Sequence, residues 1–325
     1  MRRVAIPREI SYGAAHPPKG SVRTLDGLTM GTTWRVSHVS ERDRDELLRR
    51  RIESVLDGVI AQMSTWEPDS DICRINRSRL GEWCGIKPEL RDVLACGLAV
   101  QRATRGAFDM ATGESIDLWG FGPPGPINRP PERIGAPRPD SRLVPIELDA
   151  DNMRVRRNAD VRLDVSGIAK GYAVDLVLDN VRRAGYADCL VEIGGELAGA
   201  GVKPDGSPWW VEIAGQANDE PVTVALHGVA IATSGIERHL MLDGQIYSHT
   251  IDPETGAPIG NGMIQCSVLA NSCMLADAYA TAIMVKGPSQ LAAIAEAGGI
   301  AVIMKYRAGD RTIEAMSPEM KRMLE

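Results

Sequence analysis

The chain has 325 residues, 44% of them hydrophobic and 25% charged, enough apolar material for a substantial core in one large domain or two joined ones. Its net charge of -6 argues against a non-specific nucleic-acid binder, which carries a basic stripe. The six cysteines form no Cys-x-x-Cys pair and no zinc spacing, and no apolar run approaches membrane-spanning length.

Residues 1–26 contain Pro17-Pro18 and little periodicity, so they read as a flexible N-terminal arm. The basic start lacks the apolar segment of a signal peptide, and the chain as written is expected to be cytoplasmic. A longer native N-terminus would allow a periplasmic or membrane-anchored protein instead. Residues 30–39 alternate and are rich in β-formers, which suggests a strand. From 42 to 63 the residues Leu47, Leu48, Ile52, Val55, Leu56, Val59, Ile60 and Met63 recur at helical spacing, and a second helix is expected over 88–105. Residues 120–139 are crowded with proline and glycine and read as a surface excursion near the site. Beyond residue 161 short strands and turns alternate with helices at 170–184 and 275–286. No regular βαβ alternation emerges, which favours α+β, with mixed, largely antiparallel sheets and packed helices.

Several segments carry chemistry. Asp164-Val165-Ser166-Gly167-Ile168-Ala169-Lys170-Gly171-Tyr172 joins a strand to a helix, where Gly167 and Gly171 permit close approach and free amides favour an anion. Tight strand–helix packing would use the same glycines. Glu192-Ile193-Gly194-Gly195-Glu196 forms a glycine-rich corner, and Ala232-Thr233-Ser234-Gly235 ends a strand with two hydroxyls. Ser248-His249-Thr250-Ile251-Asp252-Pro253-Glu254-Thr255-Gly256 packs an imidazole, carboxylates and hydroxyls into a turn. Such a turn suits a polyphosphate or proton transfer from a hydroxyl; the bland reading of His249 is an imidazole satisfied by a neighbour such as Asp252. Asp277 and Thr281, four apart in an apolar helical run, offer hard oxygen donors to Mg²⁺. A hydrogen-bonded pair on a helix face is the plainer alternative.

Taken in order, these segments resemble the ApbE family, the FAD:protein FMN transferases. The matching pieces are Met30-Gly31-Thr32-Thr33, Ser64-Thr65-Trp66 with Ser70 and Asn76, Gly106-Ala107-Phe108-Asp109, and then the motifs just described. The resemblance implies one ApbE-like (T-fold-like) flavin transferase domain over 27–325. It also implies that Met30, Trp66, Ala107, Phe108, Asp109, Asp164, Lys170 and Ile251 contact FAD. Asp277 and Thr281 fall on the family's metal ligands, assisted by main-chain oxygens near Gly167 and Ala280. Trp66 stands where an aromatic, often tyrosine, is usual, and could stack on a ring system.

The implied reaction is Mg²⁺-dependent transfer of FMN from FAD to a threonine or serine hydroxyl of an FMN-binding acceptor protein, with release of AMP. The acceptor expected is a flavoprotein of an electron-transfer complex. His249 is the candidate to take the hydroxyl proton or, if protonated, to steady the phosphate, and Asp277 is the candidate to anchor the catalytic metal. An FAD pyrophosphatase would use the same groups with water as acceptor, and a carrier would hold FAD without cleaving it.

Overall fold

Eight strands of one sheet lie side by side in the order in which they occur along the chain. They are β1 (Ser21–Thr29), β2 (Thr32–Ser40), β3 (Cys189–Ile193), β4 (Glu196–Ala200), β5 (Val229–Gly235), β6 (Met263–Ala270), β7 (Ala301–Ala308) and β8 (Arg311–Met316). Every neighbouring pair is antiparallel, so the sheet is a meander interrupted by excursions. The computed structural model describes residues 3–7, 17–42, 44–132, 144–213 and 220–324.

The longest excursion, between β2 and β3, carries α1 (Asp45–Met63), α2 (Asp71–Arg77), α3 (Pro88–Ala103), α4 (Gly113–Leu118) and α5 (Ser166–Arg183). Between β6 and β7 come α6 (Cys273–Lys286) and α7 (Leu291–Gly298), and α8 (Pro318–Leu324) closes the chain. Period-two alternation divides the core. Ala230, Ala232, Cys266, Val268, Val302 and Met304 face the helical layer, which includes Ile168 and Val174 of α5 and Ala276 and Ile283 of α6. Ile231, Leu269, Ala301 and Ile303 face the other way, onto Trp209, Val224 and Leu226 of a smaller sheet and Met320 of α8. Covered on both faces, β6 is buried along its whole length. The architecture is α+β; the pairing of Arg3–Ala5 with Val222–Leu226 is a parallel exception.

The four helices expected from periodicity are present as α1, α3, α5 and α6, with α5 beginning at Ser166 rather than residue 170. The short α2, α4, α7 and α8 carry too few turns to show a period and are not among those expected. The N-terminal arm needs correction. Ser21–Thr29 is a full strand paired with Thr32–Ser40 through a tight turn at Met30 (φ 47) and Gly31 (φ 73), and Arg3–Ala5 is a short strand. Residues 8–16 of that arm lie outside the described residues. Residues 120–132 contain no helix or strand, and Phe121 packs with Trp119 and Ile251, placing the excursion against the Ser248–Gly256 turn. Its remainder, 133–139, lies outside the described residues. All six cysteines are free thiols and five are buried, in keeping with small apolar core residues. Among the described residues no helix is long and apolar enough to cross a membrane.

Candidate active site

A cavity of about 340 Å³ opens where the first turn of α5, the ends of β4 and β5, the turn 248–256 and the middle of α6 converge. The approach of α5 to α6 sets its floor. Gly171 has no side chain because a Cβ there would lie 2.3 Å from the Cys273 carbonyl oxygen and 2.8 Å from Asp277 Cβ. The glycine that the sequence offers to a ligand thus serves helix packing. Gly167, one turn earlier, does line the cavity; a Cβ there would lie 3.1 Å from Thr281 Oγ1 and 3.4 Å from Phe108 Cε2.

The start of α6 is anchored from α5. Asp175 accepts the N–H groups of Cys273 at 2.8 Å and Met274 at 2.9 Å, and the Ser272 hydroxyl accepts that of Leu275. Orphan amides of the first turn are thereby satisfied. Burial pushes the Asp175 carboxyl up to about 6 despite those bonds. One turn on, Asp277 is 3% exposed and its Oδ2 accepts the Gly171 N–H at 2.9 Å. Burial raises its pKa, against the opposing pull of the Lys170 charge.

Lys170 Nζ donates to Glu196 Oε1 at 2.6 Å. Burial works against the ammonium charge, but Asp277 and Glu196 more than offset it, so its pKa stands above the ordinary lysine value. Glu196 is 1% exposed; burial, with the nearby Asp277 charge, pushes its carboxyl up to about 8. Its Oε2 has no hydrogen-bond partner. Lys170 is therefore a cation in the cavity wall, beside the carboxyl groups of Glu196 and Asp277.

His249, at the turn 248–256, lines the same cavity. Its Nδ1 lies 2.9 Å from the Arg238 carbonyl oxygen, and because a carbonyl only accepts, Nδ1 carries the proton and Nε2 presents a lone pair. The neighbour that satisfies it is thus Arg238, while Asp252 Oδ1 accepts the Glu254 N–H. Burial lowers the His249 pKa to about 4, so the imidazole is neutral near pH 7. The ring stands edge-on to Phe121, with centroids 6.3 Å apart.

Of the residues expected from sequence, Ala107, Phe108, Asp109, Asp164, Gly167, Lys170, His249, Ile251, Asp277 and Thr281 all line this one cavity. Met30, Trp66 and Ala280 do not. Met30 sits in the β1–β2 turn, Ala280 is fully buried on α6, and Trp66 is 56% exposed. Trp66 nevertheless follows Thr65, whose hydroxyl reaches Asp164 Oδ2 at 3.4 Å. Sequence reasoning gave no role to Glu196, Arg238 or Asp175. Glu196 closes a recognisable glycine corner, whereas Arg238 and Asp175 sit in no motif.

Among the described residues no three His, Cys, Asp or Glu side chains cluster to hold a metal. The hard donors that α6 brings to the cavity are the Asp277 carboxylate and, one turn on, the Thr281 hydroxyl. Such an all-oxygen, incomplete set fits Mg²⁺ completed by substrate phosphate and water, and does not fit zinc.

The model of the ApbE family matches residues 30–304. The chain is 34% identical to an FAD:protein FMN transferase of Vibrio cholerae, over 92% of each chain. It is 33% identical to one of Escherichia coli K12, covering 93% of this chain and 89% of that one. Among solved structures it is similar to the apo flavinyl transferase ApbE of Pseudomonas stutzeri, with a TM-score of 0.83 and 34% identity, covering 94% of this chain and 97% of that one. With a family model matched over most of its length, full-length relatives above 30% identity and the same fold, the chain belongs to the ApbE family.

Proposed function

We propose that this protein transfers FMN from FAD to a threonine or serine hydroxyl of an acceptor flavoprotein, releasing AMP. The observation that carries this reading is one cavity lined by a cation, a buried carboxylate with a hydroxyl one turn on, and a neutral imidazole. Relatives named FAD:protein FMN transferase match over nearly the whole chain and support the same activity.

FAD is the substrate. Ala107, Phe108, Asp109, Asp164, Lys170 and Ile251 bind it, with Met30 and Trp66 outside the cavity lining as further contacts. Asp277 and Thr281, with main-chain oxygens near Gly167 and Ala280, would hold Mg²⁺. Bound there, the ion would neutralise pyrophosphate charge and stabilise charge developing at phosphorus. Lys170 adds positive charge that stays in place because its pKa is raised. The acceptor hydroxyl oxygen forms a bond to the FMN phosphorus as the bond from that phosphorus to the AMP oxygen breaks. The hydroxyl proton passes to His249 Nε2, the ring nitrogen left unprotonated by the Arg238 contact. A ring that is neutral near pH 7 supports the base role over that of a cationic phosphate ligand. The acceptor we infer is an FMN-binding domain of an electron-transfer complex.

Chromatography of FAD, FMN and AMP, with and without acceptor protein, tests this reading. Transfer predicts AMP formed in step with acceptor-bound flavin and little free FMN. Equal free FMN and AMP regardless of acceptor would make the protein an FAD pyrophosphatase. FAD recovered whole would make it a carrier.

A further inference from the structure

Between the cavity-lining residues Arg238 and His249 the chain runs out into a two-stranded hairpin, His239–Leu242 paired with Gln245–Ser248. Its two-residue turn is Asp243 (φ 50) and Gly244 (φ 77), the left-handed pair that matches strand twist. One face of the hairpin is accounted for. Leu240 and Tyr247 are register partners that pack on the Trp119, Phe121 and Ile251 cluster, with the Trp119 and Tyr247 ring centroids 5.1 Å apart.

The other face is not covered by the described residues. Met241 and Ile246 are also register partners, and they are 67% and 55% exposed. With Leu242 and Gln245 flanking the tight turn as a hydrogen-bonded pair, the alternation of an antiparallel ladder makes Met241 and Ile246 a non-hydrogen-bonded pair. Their backbone N–H and C=O groups point outward to the two edges. Among the described residues no third strand joins this ladder. Exposed edges are ordinarily blunted by charged residues or proline, yet neither strand contains Lys, Arg, Asp, Glu or Pro. An unguarded edge and an apolar cross-strand pair therefore stand together on an arm whose two ends form the cavity wall.

We propose that the hairpin 239–248 is the docking arm for the acceptor protein. It holds an extended, hydroxyl-bearing segment of the acceptor by strand addition, with apolar side chains of that segment on Met241 and Ile246. This rests on the transferase reading above, in which the second substrate is a polypeptide. Continuity with the cavity selects that occupant: a strand laid along the arm toward its base leads to His249, where the hydroxyl must lose its proton. Main-chain pairing supplies affinity without demanding one sequence, and the apolar pair supplies selectivity.

The test uses the whole protein and, as probe, the protein that the Vibrio cholerae relative flavinylates. Met241→Asp, Ile246→Asp and the double variant are compared with wild type for FAD affinity by flavin fluorescence and for transfer against acceptor concentration. FAD affinity is expected to be unchanged. KM for the acceptor is expected to rise about tenfold or more in each single variant, which corresponds to about 1.4 kcal/mol, with Met241→Leu restoring it. Unchanged acceptor KM in the double variant overturns the proposal. So does a change confined to self-association, which would make the arm a contact between copies of this chain. Wild-type protein that leaves the acceptor unmodified fails the transferase reading itself, an outcome distinct from variants that lose an activity the wild type has.

Discussion

Gly171 on α5 donates its backbone N–H to Asp277 on α6 at 2.9 Å, and the missing side chain of the first residue is what lets the second approach. A Cβ at position 171 would fall inside contact distance of the Cys273 backbone and Asp277 Cβ. Gly171→Ala must therefore push the helices apart. The expected outcome is a loss of about 1–3 kcal/mol of stability, read from denaturant unfolding, with a raised Mg²⁺ requirement for transfer.

Asp277→Asn separates chemistry from folding. Burial makes the charged carboxylate costly, and asparagine keeps an oxygen for the Gly171 N–H. The melting temperature is expected to hold or rise, while transfer falls about 100-fold or more through loss of the metal's charged ligand. Calorimetric titration with Mg²⁺ is expected to show weakened binding in the variant. A variant that folds well and transfers normally would remove Asp277 from the mechanism.

His249 contributes a separable part of the pH dependence. Its folded pKa is lowered from 6.5 to about 4 by burial, so the unfolded chain binds the proton more readily between those values. The associated stability is complete above pH 6.5 and is lost as pH falls toward 4. Wild type should therefore lose more stability than His249→Gln across that window in thermal melts. In transfer assays the acidic limb should lie near pH 4 rather than 6.5, and His249→Ala should cost about 10²–10⁴ in rate with FAD binding retained.

Asp175 touches neither proposed ligand, and its two hydrogen bonds to the start of α6 hold Asp277 and Thr281 in register. Asp175→Ala leaves two partly buried amides without that acceptor and is expected to cost about 1–3 kcal/mol. Hydrogen exchange should show faster opening of the first turn of α6 than of β6.

Much of this was legible because the chemistry is local. The Asp164–Tyr172 turn into α5, the 248–256 turn and the four-residue spacing of Asp277 and Thr281 each lie within one element, and the fold brings them to one cavity. Contacts between elements were not legible. Lys170 on α5 gives no sign that Glu196, on strand β4, will accept its Nζ–H, and Asp175 reads as an ordinary polar helix residue. The strand Ser21–Thr29 was missed because its apolar side chains do not share a face: Leu25 is buried, while Val22 and Leu28 are 44% and 84% exposed. Burial alternates along it, but the inward positions are Arg23, Leu25, Gly27 and Thr29, so hydropathy does not follow.

Intact-mass spectrometry of an FMN-binding acceptor domain, incubated with this protein, FAD and Mg²⁺ beside an EDTA control, tests the central claim most directly. The account predicts a gain equal to FMN less water on one threonine or serine, abolished by EDTA and formed about 100-fold more slowly or worse with Asp277→Asn. An acceptor mass that stays unchanged while FAD is consumed to free FMN and AMP would contradict it.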